Sequence, residues 1–363
     1  VSDAVSILCC GEGALTIDED GCLWYHGTIF PFKGILEKVD TALYRLNLPN
    51  VQITTMSTSK DHWVGIDSCG KAWGFGKNFY HELGVNSSRY VLSAVNIPIC
   101  EEVISVTCGY RRTLFISKSG KVYGCGSNAG NCLGIPHGLL FNKNIIQTPT
   151  VVPKLNNIVQ IACNRDNSIF LMESGDLIVS GTVIKDRILY QKCFVVARKS
   201  SITNVKNIVC GTTHVMIQTI DDDIIFRPNT YILYEHTPIS IDITSEIQNI
   251  YSNYNSIILE SNNSLWVTTY HGTACSELFT DGFKVENNDE LVQIESPPGD
   301  ILDCIIGCKS VIALTTEGIY QFGASISSQH SAEDRIFQWN SITEEKKKYF
   351  DLSKYFRNRA KSA

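Results

Sequence analysis

The side chains of this chain that could do chemistry are few. His62 and His214 suggest general acid or base work. The fourteen cysteines suggest disulfides, a metal site or a nucleophile. Gly74-Phe-Gly76 and Gly124-Cys-Gly126 suggest a loop that cradles phosphate. Spacing argues against each. There is no C-x-x-C pair, and Cys304 and Cys308 have no His or Cys partners at zinc-finger spacing. Neither glycine pair leads into a Lys-Ser/Thr or a helix start. His-Glu-x-x-His, Gly-x-Ser-x-Gly and His-x-Glu with Pro-Cys-x-x-Cys are absent. No catalytic residue, cofactor or metal is expected, and an enzyme is not indicated.

What must position these residues is a repeat. Lys71-Ala-Trp-Gly-Phe-Gly-Lys-Asn-Phe-Tyr-His-Glu-Leu-Gly84 and Lys121-Val-Tyr-Gly-Cys-Gly-Ser-Asn-Ala-Gly-Asn-Cys-Leu-Gly134 align without a gap. A turn precedes each, at Gly70 and Gly120, and turns recur at Gly21, Gly175, Asp222-Asp223, Asn263 and Gly318. These residue types accept the positive φ of tight hairpins. The spacing of about 40 to 55 residues is that of blade-like repeats. In the third copy Val103–Cys108, Thr113–Ile116 and Val122–Cys125 read as strands, with a short outer strand near Val151-Val152. No amphipathic helix of useful length interrupts them. Seven repeats follow, at 1–50, 51–102, 103–157, 158–204, 205–246, 247–300 and 301–345, with 346–363 as a basic segment that is either part of a closing strand or a linker.

Three columns of the alignment carry information. The first strand ends at Cys10, Thr58, Cys108, Cys163, Cys210, Ser252 and Ile306. A thiol repeated at one position reads as a small buried hydrophobe, and reduced thiols fit a nuclear or cytosolic setting. The second strand opens at Ala14, His62, Arg112, Asn167, His214, Ser256 and Ser310. The two histidines there are read as polar groups that satisfy backbone at a strand start, in preference to a catalytic pair. The third column is Gly27, Gly76, Gly126, Gly181, Pro228, Thr269 and Gly323. Its five glycines imply close backbone approach or unusual φ.

The pattern Cys-Gly-x-x-His/Arg, Gly-x-Val-Tyr-Gly-x-Gly-x-Asn, Leu-Gly resembles the repeat of the regulator-of-chromosome-condensation family. The second and third copies are nearest to it. The Trp-Asp and Gly-His marks of WD repeats and the paired glycines of kelch repeats are missing. The resemblance implies an all-β, seven-bladed β-propeller closed by pairing of N- and C-terminal strands, with Phe337 to Phe350 completing a blade with the start of the chain. It also makes guanine-nucleotide exchange on a Ran-type GTPase possible. That branch carries a wedge-like hairpin with an aromatic-Arg-Asp sequence after a strand-ending glycine. Gly181-Thr-Val-Ile-Lys185-Asp186-Arg187 is the nearest local match and lacks that order. Gly109-Tyr-Arg-Arg-Thr113 resembles the Gly-Trp-Arg-His-Thr of the ultraviolet-B photoreceptor branch, but Tyr110 replaces the absorbing tryptophan.

Hydrophobic residues make up 44% of the 363 and charged ones 19%, a globular composition, and no run approaches a membrane span. A net charge of −6 argues against a surface that coats nucleic acid. From Ser341 onward, Lys346, Lys347, Lys348, Lys354, Arg357, Arg359 and Lys361 against Glu344, Glu345 and Asp351 give the tail +4, leaving −10 on the rest. The start at Val1 is read as a piece of a longer, multidomain chain. The expected function is a protein-protein interaction platform. Exchange on a small GTPase is the alternative, and a chromatin or nucleic-acid tether through the tail is the third. Contacts are expected in the loops 28–44, 78–91, 136–146 and 270–288 and in the 181–187 stretch, through Phe30, Phe32, Tyr80, Arg89, Lys185, Asp186, Arg187 and Tyr270, because aromatic and arginine-bearing loop tips anchor interfaces.

Overall fold

The computed structural model describes residues 4–10, 13–18, 23–27, 43–45, 51–59, 62–136, 144–185, 188–193, 198–200, 202–211, 214–228, 239–241, 247–252, 257–268, 291–306, 310–324 and 335–341. Among them are seven antiparallel sheets, each made of strands consecutive in sequence. They occupy 4–45, 53–96, 103–151, 158–199, 205–241, 247–294 and 301–341. The one helical element among the described residues is a single turn at Ala129–Asn131.

The third sheet shows the logic. Val103–Gly109 pairs with Arg112–Ser117, which pairs with Val122–Ser127, which pairs with Ile145–Val151. The outer strand thus begins well before the Val151-Val152 stretch. Arg112–Ser117 is buried at all six positions, whereas Val103–Gly109 mixes buried and open ones. A second strand covered on both faces needs no polar alternation, so Leu114, Phe115 and Ile116 can run together. Leu114, Ile135, Val152, Ile158 and Phe170 share one apolar cluster, and Ile169, Leu177, Val179, Val205 and Ile217 form the next. Each fully buried side chain of this size contributes roughly 1.5–3 kcal/mol.

The chain forms two compact units, Val1–Ile29 with Leu36–Arg45 and Ile243–Ala363, and Phe30–Ile35 with Leu46–Asp242. In the first unit the leading strand of the last sheet, Ile301–Ile306, lies beside both Ile247–Ser252 and Ala4–Cys10. In the second, Ile53–Thr58, Val103–Gly109, Ile158–Cys163 and Val205–Cys210 follow one another side by side.

Two sequence expectations need correction. Phe337 does not join the start of the chain. It belongs to Arg335–Ser341, which pairs with Gly318–Ala324 of its own sheet, while Ala4–Cys10 pairs with Gly13–Asp18. The outer position of the last sheet is filled by its own chain, so no strand from the other end is required. Residues 342–363, including the rest of the Phe337 to Phe350 segment and the basic tail, lie outside the described residues. In the first sheet Gly13 opposes Gly27 and Cys9 opposes Ala14, as Arg112 opposes Gly126 and Cys108 opposes Thr113. The repeated thiol of that sheet is therefore Cys9, one residue before Cys10, and its strand-opening residue is Gly13, one before Ala14.

Candidate protein interface

Within the second unit the tight hairpins between second and third strands leave each sheet at one end. The turns between first and second strands and the loops between third and fourth leave it at the other. This second end is built by recurring devices. Asn78 accepts from the Leu83 N–H at 3.1 Å and donates to the Val85 carbonyl at 3.1 Å. Asn128 does the same with Leu133 at 2.9 Å and Ile135 at 2.8 Å. The Asn and Leu-Gly of the repeat are thus the two ends of one folded loop. Each loop is tied to the next sheet: the Glu82 carbonyl accepts from Thr113 Oγ1 at 2.7 Å, and the Asn131 carbonyl from Ser180 Oγ at 2.7 Å.

The strand-opening column ties neighbouring turns together. Arg112 is buried, and its guanidinium donates to the carbonyls of Asn164 (2.7 Å), Asn167 (2.6 Å) and Arg165 (3.0 Å) and to Ser168 Oγ. A cation taken from water keeps its place only if its donors are met, and the turn at 164–167 meets them. His62, also buried, bonds hydroxyls through its ring: Ser59 Oγ at Nδ1 (2.8 Å) and Thr113 Oγ1 at Nε2 (2.9 Å). A hydroxyl, an imidazole and a second hydroxyl in line resemble a nucleophile and its base. All three residues are buried, so a substrate cannot reach them, and the group acts as a strut between the second and third sheets. His214 opposes Pro228 as the fifth strand-opening residue.

The glycine column has a common cause. Gly76, Gly126 and Gly181 have φ of 112°, 100° and 128°, and each opposes the strand-opening residue, as do Gly27 and Gly323 in their sheets. At Gly126 a β-carbon would lie 2.5 Å from the Arg111 carbonyl oxygen, the oxygen that accepts the Ser127 N–H at 2.7 Å.

That carbonyl belongs to the most conspicuous surface feature of the unit. The Arg111 guanidinium lies 4.4 Å from the Tyr80 ring centre and 4.6 Å from that of Tyr110, and Arg165 lies 5.6 Å from Tyr110. Beside them Arg89 stands 5.6 Å over Phe79, which meets Tyr90 edge-on at 5.0 Å. All these separations are within the range of cation–π attraction or aromatic pairing. Arg89 and Arg165 are exposed and Tyr80, Tyr110 and Arg111 half-buried. The ladder runs across the loop of the second sheet and the turns of the third and fourth.

A hairpin leaves the fourth sheet at the same end. Leu177–Lys185 continues past Gly181 and pairs with Ile188–Cys193, Thr182 facing Cys193 and Lys185 facing Ile188. The outer position of the sheet is taken instead by Arg198–Lys199. Lys185 is thus the last strand residue before the hairpin tip. Asp186 and Arg187, like Phe30, Phe32 and Tyr270, lie outside the described residues. Of the expected contacts, Tyr80 and Arg89 stand in the ladder and its flank.

The sequence reading missed Tyr110, Arg111 and Arg165 as contacts. A signal existed, since Tyr110 and Arg165 hold the same turn position in successive repeats, each two residues before the strand-opening residue. No group of three or more His, Cys, Asp or Glu able to hold a metal occurs among the described residues. Cys69, Cys100, Cys108, Cys125, Cys132, Cys163, Cys210 and Cys304 are free thiols. Burial pushes the Cys108 thiol up to about 12 and raises those of Cys125, Cys132, Cys163 and Cys210, which makes them packing groups rather than nucleophiles.

The profile of the Regulator of chromosome condensation (RCC1) repeat matches residues 103–132 and 119–171, the stretch that holds Arg112, Gly126 and the Asn128 loop. Residues 103–171 thus carry repeats of the RCC1 family. It is similar to the protein pim1 of Schizosaccharomyces pombe, 25% identical over 244 residues that make up 59% of this chain and 44% of pim1. Among solved structures it resembles human WBSCR16, with a TM-score of 0.66 at 17% identity over 85% of this chain and 86% of that one. It also resembles Prp20p of Saccharomyces cerevisiae, with a TM-score of 0.61 at 17% identity over 81% and 77%. These likenesses establish the RCC1 β-propeller fold. The chain spans less than half the length of pim1.

Proposed function

We propose that this RCC1 propeller is a protein-interaction module that holds its partner at the loop-bearing end of its second unit. The observation that carries this reading is the Tyr80–Arg111–Tyr110–Arg165 ladder. Tyrosine and arginine are the side chains that most often anchor interfaces, and here they stand on turns fixed by buried hydrogen bonds. Capture of partners from extract by the intact chain and by a Tyr110→Ala, Arg111→Ala variant tests it. A partner retained by the first and lost by the second is expected, and equal retention would move the interface elsewhere.

Exchange on a small GTPase is the second reading. It is favoured by the hairpin 182–193 that leaves the same end and by the likeness to Prp20p, a protein studied for its binding to Gsp1p and histones. Release of a fluorescent nucleotide from Gsp1p, with the chain added in substoichiometric amount, separates the two. Multiple-turnover acceleration supports exchange, and none supports a module without it. The free thiols support a reducing setting, nuclear or cytosolic, for either reading.

A further inference from the structure

We infer that the ladder takes an acidic segment of a partner protein, whose carboxylates are received by Arg111, Arg165 and Arg89. This rests on the interaction-module reading and adds the chemistry of the partner. Two sets of described cations in the second unit contrast. At the hairpin end Lys118, Lys121, Lys199 and Lys206 each have a carboxylate of the chain itself within salt-bridge distance, namely Glu102, Glu101, Asp176 and Asp222. At the loop-bearing end the three arginines have none among the described residues, and aromatic faces are their partners.

Stacking occupies the flat face of a guanidinium and leaves its edge, with the N–H fork, open to a bidentate acceptor. Arg111 is further fixed through its backbone, at φ 60° with its carbonyl bonded to Ser127, so little freedom is lost when its edge is engaged. Two carboxylates of this end belong to the same account. Glu82 is buried, with Oε2 accepting the Tyr80 N–H at 2.8 Å, and it supports the ladder from below. Asp166 is exposed next to Arg165 in the chain, and its charge works against an acidic partner at that rung.

A nucleic acid would also meet arginine and aromatic rings, but tracking of a phosphate backbone calls for a strongly basic surface. This chain carries −6 overall, and the ladder holds no lysine. Carboxylates on a protein segment are the acceptors that three separate forks suit.

The test is fluorescence anisotropy with three labelled probes: a peptide of about a dozen residues repeating Glu-Glu-Tyr, its Gln-Gln-Tyr counterpart, and a single-stranded RNA of similar length. The expected result is binding of the acidic peptide alone, weakened by salt. Arg111→Gln should weaken it about tenfold, the effect of about 1.4 kcal/mol, with Lys118→Gln at the other end unchanged. Arg165→Glu, at an exposed position, serves as a second variant should Arg111→Gln disturb folding, which near-ultraviolet circular dichroism reads. Equal binding of the acidic and amide peptides, indifference to both arginine variants, or tighter Arg111-dependent binding of RNA would each overturn the proposal. Selection from a random peptide library on the same chain tells this failure from that of the module. Enriched peptides without acids leave the module standing and remove the acidic partner, and no enrichment removes both.

Discussion

A β-carbon at Gly126 would meet the Arg111 carbonyl oxygen at 2.5 Å and the Arg112 Cα at 2.7 Å, at a φ of 100° that valine resists. Gly126→Val should therefore destabilise the fold by about 1–3 kcal/mol, read by denaturant titration, and should loosen the Arg111 turn before the rest of the sheet, read by hydrogen exchange at Ser127. In the sequence the glycine is legible only as a letter that recurs in five of seven repeats. The cause, a carbonyl of the neighbouring turn pressed against it, depends on pairing across the hairpin. The thiols lend themselves to a second test at this scale. Cys69 and Cys100 are exposed, whereas burial raises Cys108 to about 12 and also raises Cys125 and Cys132. Alkylation of the native chain at neutral pH, mapped by mass spectrometry, should mark Cys69 and Cys100 and reach the other three only after denaturation. A recurring cysteine in an apolar strand signals this packing role in advance. Tyr110 is marked only by sharing its turn position with Arg165, and Arg111 carries no such signal, because a turn residue reads as variable until the tyrosine of another loop is seen against it.

At the scale of the element, the tight hairpins carry charge that can be titrated. Lys121, with help from Ser119, holds the Glu101 carboxyl down to about 2 from 4.5, and Lys199 and Lys206 lower Asp176 and Asp222. A carboxylate whose folded value lies below its unfolded one adds stability that is fully present above the unfolded value and is lost as pH falls through the folded one. Glu101 should thus contribute above about pH 4.5 and cease to do so near pH 2. These groups are open to solvent, so the contribution is small and screened by salt. In Lys121→Met, the Glu101 midpoint followed by nuclear magnetic resonance should move back toward 4.5; a midpoint still near 2 would mean that the hydroxyls alone hold it down. The strands of each repeat are legible from turn residues and β-branched runs. The hairpin 182–193 is not, because Thr182-Val-Ile continues the alternation of the strand before it and nothing in its letters says which partner it takes.

For the whole molecule, the decisive feature is that each sheet among the described residues closes on strands that follow one another in sequence. The seven-fold recurrence of turns makes that legible, but the resemblance led to an expected exchange of strands between the chain ends. Pairing patterns alone could not choose, since Ile336 and Phe337 suit the edge of either sheet. The choice shows in stability. Ser341 ends a strand already paired to Gly318–Ala324, so a chain cut after Ser341 keeps the seven described sheets and should melt within about 2 °C of the intact one, a change of no more than about 1.5 kcal/mol at this size. A chain cut before Arg335 lacks that outer strand and bares the Gly318–Ala324 edge to solvent and to other chains. It should melt about 10 °C or more lower, since several kcal/mol of pairing and packing is lost, and should aggregate on heating. Strand exchange between the ends would reverse the first result, because 342–350 would then complete a sheet with the start of the chain and its removal would cost as much as the loss of Arg335–Ser341.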